Sequence, residues 1–287
     1  MINKLVTSKY IIIFSLVVAN LSAQVNNPKS YIVRTDVGFI DYANRIIVCR
    51  GTADVIKNNV DDNSLIIIEK NITLAKAEAK AEARKNLIKI IKEVNFDGRY
   101  VKELIEIEPI IESRLESLVG SAYQQGQIEY FDKDEVSIAL AVRMSGLAEI
   151  LIDTDGYLEE DKSLPTYLMT NAAIPKSERI SGIVIDVREH DIDPSMSPEV
   201  IDMQGNLVYG TIHYSRSKSV NKGPVGYAYS MDDKNLGQRV GANPILIEAV
   251  GSLDDDVYIT SMDAEKIREA EKKFGILTNC RIMLLLQ

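Results

Sequence analysis

One stretch, Ile72 to Val94 (ITLAKAEAKAEARKNLIKIIKEV), limits the folds open to this chain. Ile72, Ala75, Ala79, Ala83, Leu87, Ile90 and Val94 recur at steps of three or four, which puts them on one stripe of an α-helix. The rest is rich in Ala, Glu, Lys, Arg and Leu, all strong helix formers. Lys76, Glu78, Lys80, Glu82 and Lys85 fall on the other face, which is solvated and nearly neutral. The first half of the stripe is Ala, so the helix axis can lie close to whatever it covers. A strand-like run, Arg45 to Gly51, stands upstream, so the helix is expected to lie across a sheet. A coiled coil is disfavoured, because the apolar steps hold no heptad beyond this segment. Asn71 is the expected N-cap.

At 287 residues, two modest domains are the natural division, each long enough to bury a core. The formal charge of -9 argues against a broad nucleic-acid surface, which needs clustered Lys and Arg.

The N-terminus has the pattern of a secretory signal peptide. Lys4 and Lys9 form a basic region, Ile11 to Ala19 an apolar run, and Ala23 a small residue before the expected cut. The apolar run is shorter than the roughly 20 residues a membrane span needs. The expectation is export across the inner membrane to the periplasm or cell envelope, with no transmembrane segment after cleavage. Cys49 and Cys280 are the only cysteines. In an oxidising compartment they could pair, but each sits in an apolar strand-like run of what reads as a different domain, which favours two unpaired thiols; neither a CxxC nor a zinc spacing is present.

Residues 24–151 read as a first α/β domain. A polar leader (24–30) precedes a β-rich run from Asp36 to Val55, ended or bulged at Gly51. After a loop at 60–64 and the organising helix, Asp97-Gly98 marks a turn. Pro109 opens a second helix with Ile111, Leu115, Leu118 and Ala122 inward. Gln127 to Phe131 and Val136 to Val142 read as a hairpin. Residues 152–178 are acidic and Pro-containing and read as a linker, with a short helix at 164–170. Residues 179–287 read as a second α/β domain. It opens on a buried strand at Ile180 to Val187 and continues with a hairpin turning at Gln204-Gly205-Asn206. Ser215 to Gly226 reads as a surface loop, and strands follow at Pro244 to Val250 and Val257 to Thr260. A helix from Asp263 to Phe274, stopped by Gly275, leads to a last strand at Asn279 to Leu286. Each domain is expected to be a mixed or antiparallel sheet covered by one or two helices, an α/β (α+β) class.

Two blocks carry a resemblance. The first is strand–Gly51, then Ala75, Ala79 and Ala83 with Arg84-Lys85-Asn86-Leu87, then the hairpin. It resembles the lipoprotein-20 family of bacterial envelope proteins, related to the N-terminal region of flagellar assembly protein T. The second runs from Ser181-Gly182-Ile183-Val184-Ile185-Asp186-Val187-Arg188 through Pro194 to Val200 and Gly205 to Gly210. It continues with Asn243-Pro244, Asp256 to Thr260, Asp263-Ala264 and Cys280-Arg281-Ile282, and is similar to the C-terminal half of longer members of the same group. The lipidated Cys of the lipoprotein members has no counterpart here. The resemblance implies a structural or assembly role in the envelope or at the flagellum. Its partners would be envelope or flagellar proteins or further copies of the chain, with no cofactor and no catalytic residue to carry over.

The chemistry-bearing clusters are sparse. Asp186, Glu189, His190, Asp191 and Asp193 form the densest one. Asp186, His190, Asp191 and Asp193 are the candidates for a metal or acid–base site, provided that strand and loop bring them together. They carry the alternative reading, a periplasmic ligand- or metal-binding module or a hydrolase. Asp153-Thr154-Asp155-Gly156 imitates a calcium loop but puts Leu151 and Lys162 at its two anchoring positions. Gly223-Pro224-Val225-Gly226 lacks the Lys-Ser/Thr of a phosphate loop, and no G-x-S-x-G is present. His213 reads as a strand residue, and Asp254-Asp255-Asp256 as a turn.

Overall fold

The computed structural model describes residues 31–56, 65–131, 134–152, 175 and 179–286. The signal-type segment, the leader, the loop at 60–64, the calcium-like stretch and the helix at 164–170 lie outside them, as does most of the 152–178 linker.

The first half is one antiparallel sheet. β1 (Ile32–Arg34), β2 (Gly38–Asp41), β3 (Ile46–Asp54) and β6 (Glu135–Arg143) follow one another across it. The short β4 (Tyr123–Gln124) and β5 (Glu129–Phe131) both pair with β6. The hairpin of β5 and β6 is therefore as expected, and its turn at 132–133 lies outside the described residues.

Helix α1 (Leu65–Lys92) lies across β3 and β6. Its buried stripe is Ala75, Ala79, Ala83, Leu87, Ile90 and Ile91, with Asn86. The structure corrects the start of this helix. The helix runs upstream through Leu65 to Lys70 despite the β-branched Ile66, Ile67 and Ile68, so Asn71 is inside the helix. Its side-chain amide donates to the Ile56 carbonyl at 2.8 Å. Gly51 is also corrected. It neither ends nor bulges β3 but sits mid-strand under the helix, where an added Cβ would stand 2.2 Å from the Ala79 carbonyl oxygen and the Ala83 nitrogen. Gly below and Ala above let the two backbones meet.

Past the turn at Gly98 (φ 80), α2 (Val101–Ile107) and α3 (Ile110–Gly120) follow, the latter opened by Pro109. Ile111, Leu115 and Val119 are buried, while Leu118 and Ala122 are only half-buried. α4 (Met144–Leu151) closes this half.

The second half holds two four-stranded sheets. One is wholly parallel, in the order β10 (Gly226–Ala228), β14 (Ile282–Leu285), β7 (Gly182–Asp186), β11 (Pro244–Glu248). Its inner strands read Ile-Val-Ile and Ile-Met-Leu-Leu without alternation, as strands buried on both faces do. The other is β12 (Gly251–Leu253), β13 (Asp256–Ile259), β8 (Val200–Asp202), β9 (Leu207–Tyr209). The β8–β9 turn follows its sequence, with Gly205 at φ 81 and the Asp202 carboxylate accepting from the Gln204 and Asn206 N–H groups.

Ser215 to Gly226 is not a surface loop. Ser215 caps α5 (Arg216–Lys222), whose Ser219 and Val220 are buried, and β10 begins at Gly226. His213 is in a short 3-10 turn, not a strand. α6 (Lys234–Val240) covers the parallel sheet. α7 (Ser261–Phe274) buries Ala264, Ile267 and Ala270 and ends at Gly275 in the left-handed region (φ 61). Cys49 and Cys280 are buried and free.

The fold is mixed α/β, and the apolar core runs without a break from one half into the other. The Tyr31 and Tyr229 rings stack at 4.2 Å, and Tyr42 meets Tyr227 edge-on at 6.1 Å. Backbone joins the halves as well: Met196 N–H donates to the Asn95 carbonyl (3.0 Å) and Ser197 N–H to the Phe96 carbonyl (2.7 Å). Among the described residues no helix is long and apolar enough to cross a membrane.

Candidate functional site

The Asp186–Asp193 segment leaves the parallel sheet at the C-terminal end of β7. Crevices at such ends are where open α/β sheets bind ligands. A cleft of about 480 Å³ is found there, lined by Asp186, Arg188, Glu189, His190, Glu248 and Ala249. Register places Glu248 of β11 opposite Asp186, so strand pairing brings these two carboxylates together.

Two of the four candidates line this cleft, Asp186 and His190; Asp191 and Asp193 do not. Asp186 is held by Arg188, whose Nε and Nη2 donate at 2.8 and 2.5 Å. That contact holds the Asp186 carboxyl below the usual carboxylate range. An Asp so paired stays ionised at neutral pH and has no proton to give as a general acid. His190 presents Nε2 to the Ala249 carbonyl at 2.9 Å. A carbonyl only accepts, so Nε2 carries the proton and the ring pins the loop to the residue after β11. The backbones of the other two are bonded as well: the Asp191 carbonyl accepts from Ser252 Oγ (2.9 Å) and Asp193 N–H donates to the Asp254 carbonyl (2.9 Å). Among the described residues no three His, Cys, Asp or Glu side chains are placed to hold one metal ion.

A second acidic group sits where the halves meet. Asp254 and Asp255 form the β12–β13 turn, as expected, with Asp254 in the left-handed region (φ 53). Asp255 is only 3% exposed, and its Oδ2 has no hydrogen-bond partner among the described residues. It faces the turn of the first half: an added Cβ on Gly98 would stand 2.9 Å from its Oδ1. Burial, then the charges of Asp256 and Asp97, push Asp255 up to about 6. Burial and neighbouring carboxylates also raise Glu199 and Asp256. Sequence reasoning read Asp254 to Asp256 as a turn and missed the burial of Asp255, which a partner 157 positions away creates.

Asp202 shows the opposite environment. It is buried, accepts from Asn206, Gln204 and Arg268, and is drawn down to about 2, chiefly by the Asn206 N–H. It braces the β8–β9 turn against α7.

Residues 182–287, beginning at the first residue of β7, match the family model of the second domain of Treponema pallidum Tp0624. The match covers less than half of the chain. No curated protein matches it.

Proposed function

We propose that this chain is an exported, non-enzymatic protein of the bacterial cell envelope with a structural or assembly role, the flagellum being one machine it could serve. One observation carries the reading: the polar residues most suited to chemistry are spent on the fold. Asp186 is neutralised by Arg188, His190 ties its loop to Ala249, and Asp191 and Asp193 hold backbone.

Three further features support it. The N-terminal sequence has the charge and apolar pattern of an export signal. The two halves share one core, which suits a part that transmits or resists load. Leu65, Ile66, Ile68 and Leu74 stand exposed on the first turns of α1, and apolar surface of that kind is used in association. The likeness of residues 45–142 to lipoprotein-20 proteins and to the N-terminal region of flagellar assembly protein T belongs to the same proposal.

The test is the native mass of residues 24–287 by light scattering, paired with fractionation of the source cells. A multimer, or a complex recovered with the envelope fraction, is the expected outcome. A monomer in the soluble fraction that turns over an envelope substrate reproducibly would defeat it.

A further inference from the structure

The chain carries a formal charge of -9, yet one cavity between its halves is lined by cations and neutral polar groups with no acid among them. Asn44, Arg45, Ile46, Tyr123, Arg143, Ser145 and Asn221 enclose about 330 Å³. Six come from the sheet and α4 of the first half; Asn221 comes from α5 of the second.

The placement of the two arginines follows from strand pairing. Ile46 opens β3 and faces Arg143, the last residue of β6. Arg45, just before Ile46, has φ 55, a left-handed backbone unusual for a long side chain. Such outliers gather at functional sites, where the surrounding structure holds them. Here the Arg45 carbonyl accepts from Met144 N–H at 2.9 Å, and Gly223 leaves room for the guanidinium, its virtual Cβ standing 3.1 Å from Arg45 Cζ.

Among the described residues neither cation has a carboxylate partner. There the Arg45 side chain donates only from Nη2, to the carbonyls of Val220 (3.0 Å) and Ser219 (3.5 Å). Burial and the nearby Arg239 pull its pKa down to about 10. Capping the end of α5 accounts for Nη2 but not for Nε, Nη1 or Arg143. Arg143 pairs with Ile46 through the strand ladder, but among the described residues it makes no side-chain hydrogen bond or ion pair. It is also the N-cap residue of α4, and that helix start has no side-chain cap. The first N–H of α4, that of Met144, is taken by the Arg45 carbonyl, and the next residue, Ser145, lines the cavity at a helix start of the kind that attracts anions.

We propose that this cleft binds a small oxyanion, a phosphate or phosphate-like group, between the Arg45 and Arg143 guanidinium groups and the N-terminus of α4. Arginine matches such groups with two parallel hydrogen bonds, and the Tyr123 hydroxyl is a neutral donor beside them. The Asn44 and Asn221 amides donate to Asp41 Oδ2 (2.8 Å) and the Ser217 carbonyl (2.9 Å), which leaves each one further N–H. The volume is at the lower end for ligand sites, so the anion is a single group or a small molecule bearing one. Because Asn221 reaches in from the second half, the anion would link the halves.

The experiment titrates inorganic phosphate into the purified chain by calorimetry at constant pH and ionic strength, with chloride as the control anion. Saturable binding is expected. Arg143→Ala, at an exposed strand end, should weaken it about tenfold or more with the circular dichroism spectrum unchanged, and Arg143→Lys should recover only part. Lys266→Ala, on α7 away from the cleft, should bind as the parent does. No binding above the chloride control, or equal binding by Arg143→Ala, overturns the proposal. Co-sedimentation with phosphatidylglycerol but not phosphatidylcholine vesicles, lost in Arg143→Ala, would support it and assign the anion to a lipid headgroup. Phosphate binding without co-sedimentation would support it and assign the anion to a free solute.

Discussion

The contact between α1 and β3 allows a sharp test, because one methyl group should break it. In Gly51→Ala the added Cβ would stand 2.2 Å from both the Ala79 carbonyl oxygen and the Ala83 nitrogen. Both are backbone atoms of a 28-residue helix, so no rotamer change relieves the clash. The helix must move off the sheet by about an ångström. That movement loosens a seam in which Ala79, Ala83 and Leu87 are all fully buried. Overpacking a tight core typically costs about 1–3 kcal/mol, and a rigid backbone on both sides puts this case at or above about 3 kcal/mol. For a chain of this size that corresponds to a fall in the unfolding midpoint of roughly 6–12 °C. The assay is thermal and urea unfolding of Gly51→Ala beside Gly237→Ala. Gly237 is in α6 with nothing within 4 Å of its virtual Cβ, so the same chemical change there should stabilise by about 0.5–1 kcal/mol. If Gly51→Ala lies within about 0.5 kcal/mol of the parent, the range of an ordinary surface change, the close-approach argument is wrong.

Asp255 has a folded-state pKa of about 6 against an ordinary 3.8, so its contribution to stability is fully present below pH 3.8 and is lost as pH rises through about 6. Asp255→Asn should therefore raise stability at pH 7.5 by roughly 2 kcal/mol and make no difference near pH 4; urea midpoints across that range measure it. Asp202 has the opposite sign: its pKa is lowered to about 2, so its contribution is present above pH 3.8 and fades toward pH 2, and Asp202→Asn should flatten the acid limb of the stability curve. Tyr42→Phe removes the acceptor of the Asn95 N–H (2.9 Å) at the junction and should cost about 1–3 kcal/mol in chemical unfolding, through a buried donor left without a partner. Cys49 is buried with its thiol raised to about 12, and burial raises Cys280 as well, so a thiol reagent should modify both slowly in the native chain and rapidly in urea.

What the sequence determined by itself were the features whose causes lie within a few residues. The Ala stripe of α1 follows from its 3.6-residue period. The turns at Gly98 and Gly205 follow from local φ requirements, and the stop of α7 follows from Gly275. The unalternating β7 and β14 announced strands buried on both faces, and the α/β class came from the mixture of the two periods. Tertiary structure decided whatever depends on a distant partner. Ser215 to Gly226 looked like a polar loop because Ser219 and Val220 find their burial only against the rest of the fold. Gly51 looked like a strand end because the helix residue that needs its bare backbone, Ala79, comes 28 residues later. The Asp186–Asp193 cluster was visible as composition, but Arg188, Ala249 and Ser252 determined that its groups hold the loop. Arg45 and Val220 are 175 residues apart, and no local pattern marks them as neighbours. Periodicity reports which face of an element is buried, since that is set by backbone geometry alone. Which side chains meet across a junction depends on how whole sheets pack, and only the folded chain fixes that.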